Sequence, residues 1–191
     1  RACSIGSPAS SVSAKRRVTI RHCEKPFDKL QAHRDGLRHK AVSVFLHVGD
    51  AILLQRRAMG KYHTPGLWAN TCCTHPHWDE TPADCAQRRL AEELGIGGVT
   101  LRAVGQVEYR ADVGGSMVEH EVVDIFMAEV SPDLPLAPDP SEVMEVRWAT
   151  LPDLQRDIGI NPQRYTPWLR IYLSEHLDML FGAGSGQGAG R

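Results

Sequence analysis

The stretch from Thr81 to Gly95 restricts this chain more than any other, because both of its ends carry helix signals. Thr81 can cap a first turn with its hydroxyl. Pro82 suits the first helical position, where no N–H is needed, and Asp84 stands three residues past the cap, near free backbone N–H groups. Gly95 supplies the left-handed residue at which helices end. The spacing predicts a helix over residues 82–94. Upstream, residues 41–48 (AVSVFLHV) and 51–56 (AILLQR) are apolar runs separated by Gly49-Asp50, a two-residue turn that predicts a hairpin. A short strand and loop fit residues 65–76, strands are expected near 101–110 and 117–130, and a last helix from about 167 to 180. Elements mixed in this order predict an α/β (α+β) fold with a central mixed β-sheet flanked by helices.

Composition narrows the function. A formal charge of −1, from 22 basic and 23 acidic side chains, gives no electrostatic footprint for nucleic acid. No run reaches the roughly 18 apolar residues of a membrane span. The 191 residues suit one domain, expected over 24–181, between a flexible arm (1–23) and a flexible Gly-rich tail (182–191, reading GAGSGQGAGR). Five cysteines, two of them adjacent, make an unlikely disulfide framework and point to a reducing compartment. No targeting signal is evident, so cytoplasm is the expectation.

Several residues are suited to chemistry. Glu119 and Glu121 sit two apart in a strand-like run, so they share one face while His120 points away. Paired carboxylates repel unless a cation or proton lies between them; a solvated strand face and a metal or acid/base site both fit that spacing. Cys73, two residues before His75, suits an inert buried thiol as well as a proton donor beside a metal. On the helix, Arg88 with Glu92 and Arg89 with Glu93 are i, i+4 pairs, which ordinary exposed helices also make.

Taken together, loop and helix read Thr74-x5-Glu80-x7-Arg88-Arg89-Leu90-x-Glu92-Glu93-Leu94-Gly95-Ile96. This resembles the Nudix box G-x5-E-x7-R-E-U-x-E-E-x-G-U, with Thr74 in place of the leading Gly and Arg89 in place of the Glu after Arg. The lost Glu argues against hydrolysis. With His33-x5-His39, PGLWANTCCTHP, VEHEVVD and YTPWLRIYL, residues 29–172 resemble type I isopentenyl-diphosphate delta-isomerase, a Nudix-fold enzyme that leaves its diphosphate intact.

The resemblance implies conversion of isopentenyl diphosphate, a small-molecule substrate, to dimethylallyl diphosphate by proton addition and removal. It assigns Cys73 and Glu121 as the two catalytic groups, one protonating the substrate and the other removing a proton, in either order, with Tyr109 as an aid to the carboxylate and Trp168 as an aromatic wall for a carbocation. It implies one divalent ion (Mn²⁺, Zn²⁺ or Mg²⁺) on His33, His39, His75, Glu119 and Glu121. A second, Mg²⁺, would lie on Glu93, the Cys73 carbonyl and the diphosphate, with Lys29, Arg57, Lys61 and Arg89 as diphosphate-binding cations. A monomer or weak dimer is expected. A Nudix hydrolase of nucleotide or other diphosphates is the alternative.

Overall fold

A computed structural model describes Arg17–Val18 and residues 27–182 of the chain. The ends expected to be flexible lie outside the described residues, except for Arg17–Val18 and Gly182. Short strands β1 (Arg17–Val18) and β2 (Phe27–Asp28) pair antiparallel. The Asp28 carboxylate then caps helix α1 (Lys29–Arg34).

A forked hairpin organises the rest. Strands β3 (Arg38–Val48) and β4 (Ala51–Arg57) turn at Gly49, whose φ is +57°, but only two residue pairs join them: His47 with Ile52 and Val48 with Ala51. Beyond that point the strands part, and the segment from Trp68 to Thr74 fills the gap. Strand β5 (Trp68–Ala69) pairs with β4, and β6 (Cys72–Thr74) pairs with β3. Side chains stand in for the missing ladder at the fork. The Thr71 hydroxyl donates to the Leu53 carbonyl (2.7 Å) and accepts from the Leu46 N–H (2.9 Å), Asn70 donates to the Val44 carbonyl (3.0 Å), and Gln55 to the Thr71 carbonyl (2.8 Å). Asn70 and Thr71 are fully buried, so each of these bonds satisfies a group that water cannot reach.

The sheet widens on both sides. Strand β8 (Met117–Glu129) runs parallel to β3 from Arg38–His120 to His47–Glu129 and forms an antiparallel hairpin with β7 (Arg102–Gly114). On the far side β9 (Val143–Thr150) covers β4. Helix α2 (Pro82–Leu94) has the expected bounds, capped by Thr81 and ended by Gly95 at φ +68°. A Cβ on Gly95 would lie 2.7 Å from that of Ala137, so close approach as well as backbone sign requires glycine there. Helix α3 (Leu151–Ile160) follows β9 directly. The single last helix expected is two, α4 (Pro167–Glu175) and α5 (Leu177–Phe181), broken at His176, whose φ of −128° is not helical.

Strand alternation gives the sheet two apolar faces. Val42, Val44, Leu46 and Cys72 face Leu90 and Leu94 of α2. Ala41, Phe45, Val123 and Ile125 face Trp168, Leu169 and Tyr172 of α4. Among the described residues, no helix is long and apolar enough to cross a membrane.

Candidate active site

The polar residues on the α4 face of the sheet gather at one end of it. Parallel register sets His39 beside Glu121, and antiparallel register sets Tyr109 on its other side, so one carboxylate stands between an imidazole and a phenol. The end of α1 brings His33, and the residue after β6 brings His75. His33, His39, His75 and Glu121 offer ligand atoms that all lie within 4.8 Å of one another.

Hydrogen bonding fixes what these rings present. His33 Nδ1 donates to the Lys29 carbonyl (2.7 Å), and His39 Nδ1 to the Leu37 carbonyl (2.6 Å), so each neutral ring turns a bare Nε2 lone pair inward. His75 Nε2 lies 3.1 Å from His39 Nε2 and 2.9 Å from Glu121 Oε1, while the buried His33 Nε2 has no hydrogen-bond partner. Lone pairs and a carboxylate aimed at one point repel unless a cation lies between them. The donor set therefore fits a divalent metal ion, with backbone carbonyls holding two of the rings as outer partners.

The second carboxylate behaves differently. Tyr109 Oη lies 2.8 Å from Glu119 Oε2 and 2.9 Å from Glu121 Oε2. One phenolic proton serves only one of these contacts, so a carboxyl proton completes the other. Burial and the Glu121 charge push Glu119 well above the usual carboxylate range, so of the two carboxylates Glu119 is the one that binds a proton more readily. Burial also acts to raise Glu121, but its contacts with His75, His33 and His39 outweigh it and hold Glu121 well below, while burial keeps His75 itself well below the usual imidazole range.

Cys73 faces the same chamber, whereas Cys72, one residue earlier, is buried against α2. Alternation along β6 thus separates the adjacent thiols. Cys73 Sγ donates to Asn70 Oδ1 (2.8 Å) and lies 3.3 Å from Ser43 Oγ, itself 3.0 Å from Tyr172 Oη. Burial pushes the Cys73 thiol up to about 12, so it carries its proton at neutral pH.

This inner chamber, of about 50 Å³, is also lined by Trp168, Arg57 and His63. It adjoins an open cleft of about 700 Å³, the two sharing Lys29, Lys61, Tyr62, Thr74, His75 and Arg89. Arg57 lies 5.3 Å from the centre of the Trp168 ring, and Lys29 Nζ 5.6 Å from that of Tyr62. Lys61 pairs with Glu142; Arg89 pairs with Glu93, and also with Glu92 (2.8 Å) and Glu142 (3.3 Å). Glu93 is buried and accepts from Gln55 (2.8 Å). The chamber is narrow and lined by charged as well as aromatic residues, and the cleft beyond it is wide and open.

A NUDIX domain family model matches residues 37–169. The isopentenyl-diphosphate Delta-isomerase of Cereibacter sphaeroides is 64% identical over 157 residues, covering 82% of this chain and 89% of that protein. That of Dinoroseobacter shibae is 61% identical over 158 residues, covering 83% and 90%. The chain belongs to the isopentenyl-diphosphate Delta-isomerase family of NUDIX domains. Solved structures share the fold at low identity. A protein from Deinococcus radiodurans matches with a TM-score of 0.59 at 15% identity, covering 70% of this chain and 80% of that one. A MutT NUDIX hydrolase from Burkholderia pseudomallei matches with 0.56 at 24%, covering 71% and 95%.

Most of the residues picked out by isomerase resemblance line the chamber or the cleft, although the structure divides the five metal-site residues. Four form the ring described above, while Glu119 stands in a second group with His33 and His63. Sequence reasoning passed over His63, Ser43, Asn70 and Tyr172. Asn70 and Tyr172 lie inside quoted motifs and could have been found there; His63 and Ser43 have no local signal and reach the site only through packing.

Proposed function

We propose that this NUDIX-family chain isomerises isopentenyl diphosphate to dimethylallyl diphosphate. The observation that carries the reading is a thiol, Cys73, and a carboxylate, Glu121, lining one narrow chamber that adjoins an open cleft through Lys29, Lys61 and Arg89. A poorly basic alkene needs an acid and a base held at fixed places away from water.

The diphosphate lies where cleft and chamber meet, against Lys29, Lys61 and Arg89, with Arg57 on the chamber side, which sends the five-carbon end inward. One catalytic group protonates the terminal alkene carbon, leaving a tertiary cation on its neighbour. The other removes a proton from the carbon beyond, and the double bond has moved with no change in atom count. Glu119 and Tyr109 hold a proton next to Glu121, so that carboxylate can be resupplied. Trp168 offers the cation an aromatic face, worth about 0.5 to 2 kcal/mol, and with Tyr172 excludes water. His33, His39, His75 and Glu121, with Glu119 beside them, would hold Mn²⁺, Zn²⁺ or Mg²⁺; that ion supplies positive charge that fixes Glu121 and tunes its proton affinity. Glu93 and the Cys73 carbonyl would hold a Mg²⁺ shared with the diphosphate. The reading carries with it a monomer or weak dimer working in the cytoplasm.

The test is proton NMR of isopentenyl diphosphate incubated with the protein, Mg²⁺ and Mn²⁺ in heavy water. Deuterated dimethylallyl diphosphate with the diphosphate intact is expected. Release of phosphate or pyrophosphate without it would move the chain to the hydrolases.

Charge recognition has its own signature. Burial lowers both Lys29 and Lys61 to about 8, against the opposing pull of nearby carboxylates. Protonated below that pH, they attract diphosphate; deprotonated above it, they do not. The expected result is a kcat/KM that falls as pH rises through about 8, since that ratio reports the free enzyme. A profile flat well beyond that point would remove these lysines from recognition.

A further inference from the structure

The loop between β4 and β5 carries a histidine that the reaction scheme does not use. His63 is 6% exposed and wedged among three rings: stacked on His33 (5.4 Å), and edge-on to Tyr62 (4.3 Å) and Trp168 (5.9 Å). Its Nε2 lies 3.5 Å from Glu119 Oε1, on the opposite oxygen from the one Tyr109 contacts. The following residue, Thr64, has a φ of +45°, a conformation that a β-branched residue adopts only under constraint. Arg57 secures this strained turn by donating from Nη2 to the His63 carbonyl (3.1 Å).

His33, His63 and Glu119 offer atoms close enough to hold a second ion. The hydrogen bonding argues otherwise. Arg57 Nη2 also faces His63 Nδ1 at 3.4 Å, and a guanidinium has no lone pair to offer, so Nδ1 is the accepting nitrogen. The Thr64 hydroxyl, 3.1 Å from the same nitrogen, can donate to it as well. The neutral ring then carries its proton on Nε2, where it meets Glu119 rather than a metal.

We propose that His63 is a positioning residue, holding Glu119 from the Oε1 side while Tyr109 holds it at Oε2. Contacted at both oxygens, by a Tyr109 hydrogen bond at Oε2 and by the longer 3.5 Å approach of His63 at Oε1, Glu119 keeps its place beside the ring of His33, His39, His75 and Glu121 and stays aligned with Tyr109 and Glu121. The inference rests on the isomerase reading of this site and adds a residue to it.

The test compares His63→Phe, which keeps an aromatic ring but loses the donor, with His63→Gln, whose amide can reach Glu119. Titration calorimetry with Mn²⁺ alone, without diphosphate, is set beside kcat and KM. For His63→Phe, we expect kcat and Mn²⁺ affinity each to fall about 10 to 100-fold, the range for outer partners of metal ligands, with KM little changed. His63→Gln should recover most of both losses. Equal behaviour of the two variants, or a wild-type kcat and affinity in His63→Phe, would overturn the assignment. So would two Mn²⁺ sites in the wild type falling to one in either variant, which would make His63 a ligand. The calorimetry stands without turnover, so failure of the isomerase reading, seen as a wild-type protein that makes no product, remains distinguishable.

Discussion

Replacing Cys73 with Ala should lower isomerase turnover by about 10² to 10⁴-fold, the range that a positioned proton-transfer group contributes. Folding should survive. Cys73 lies at the chamber wall, outside the packed apolar face that encloses Cys72; once the sulfur is gone Ser43 keeps Tyr172 and Asn70 keeps its Nδ2 bond to the Val44 carbonyl, although its Oδ1 loses the thiol donor. The readouts are product formation in heavy water and a thermal melt of the same sample. Ala keeps the backbone carbonyl, so loss of turnover with a preserved melt assigns the effect to the thiol proton. Turnover within a few-fold of wild type would transfer the acid role to the Glu119, Tyr109 and Glu121 chain.

Removing the divalent ions should have an effect as large. Exhaustive chelation leaves the inward lone pairs of His33 and His39 facing the Glu121 carboxylate, an arrangement that its own charge disfavours. We expect turnover to fall to background and thermal stability to drop together. An ion held at 100 times its dissociation constant contributes about 2.7 kcal/mol to stability. Adding Mn²⁺ back should restore both. A chelated protein that melts at the same temperature and still turns over would show that the ring closes on a proton instead.

How much could be read from the chain before folding depended on how local the signal was. The bounds of α2 are written in Thr81, Pro82, Asp84 and Gly95, all within one segment, and they match. The Glu119 and Glu121 face follows from strand alternation alone, and His120 does point away, toward Glu108 (3.2 Å). Helix α3 went unpredicted although Thr150 and Asp153 repeat the capping pattern of Thr81 and Asp84. The β9 strand before it gave little help, because its exposed residues blur alternation. His63 belongs to another kind of information. It sits in a turn whose only local marks are Pro65 and Gly66, and its meaning comes from Glu119, 56 residues away in sequence and 3.5 Å away in space.

The parallel pairing of β3 with β8 has a consequence for the order in which the molecule is completed. His39 and Glu121 become neighbours only through that pairing, and parallel strands far apart in sequence come together late, after a long loop has closed. A chain still emerging from synthesis can offer an ion its early histidines, but not the carboxylate that makes the site anionic. On the proposed reading the ion would join a scaffold already built, unlike the zinc that drives a small finger to fold. Loading with metal becomes a certificate of assembly, issued only to chains whose sheet has already closed.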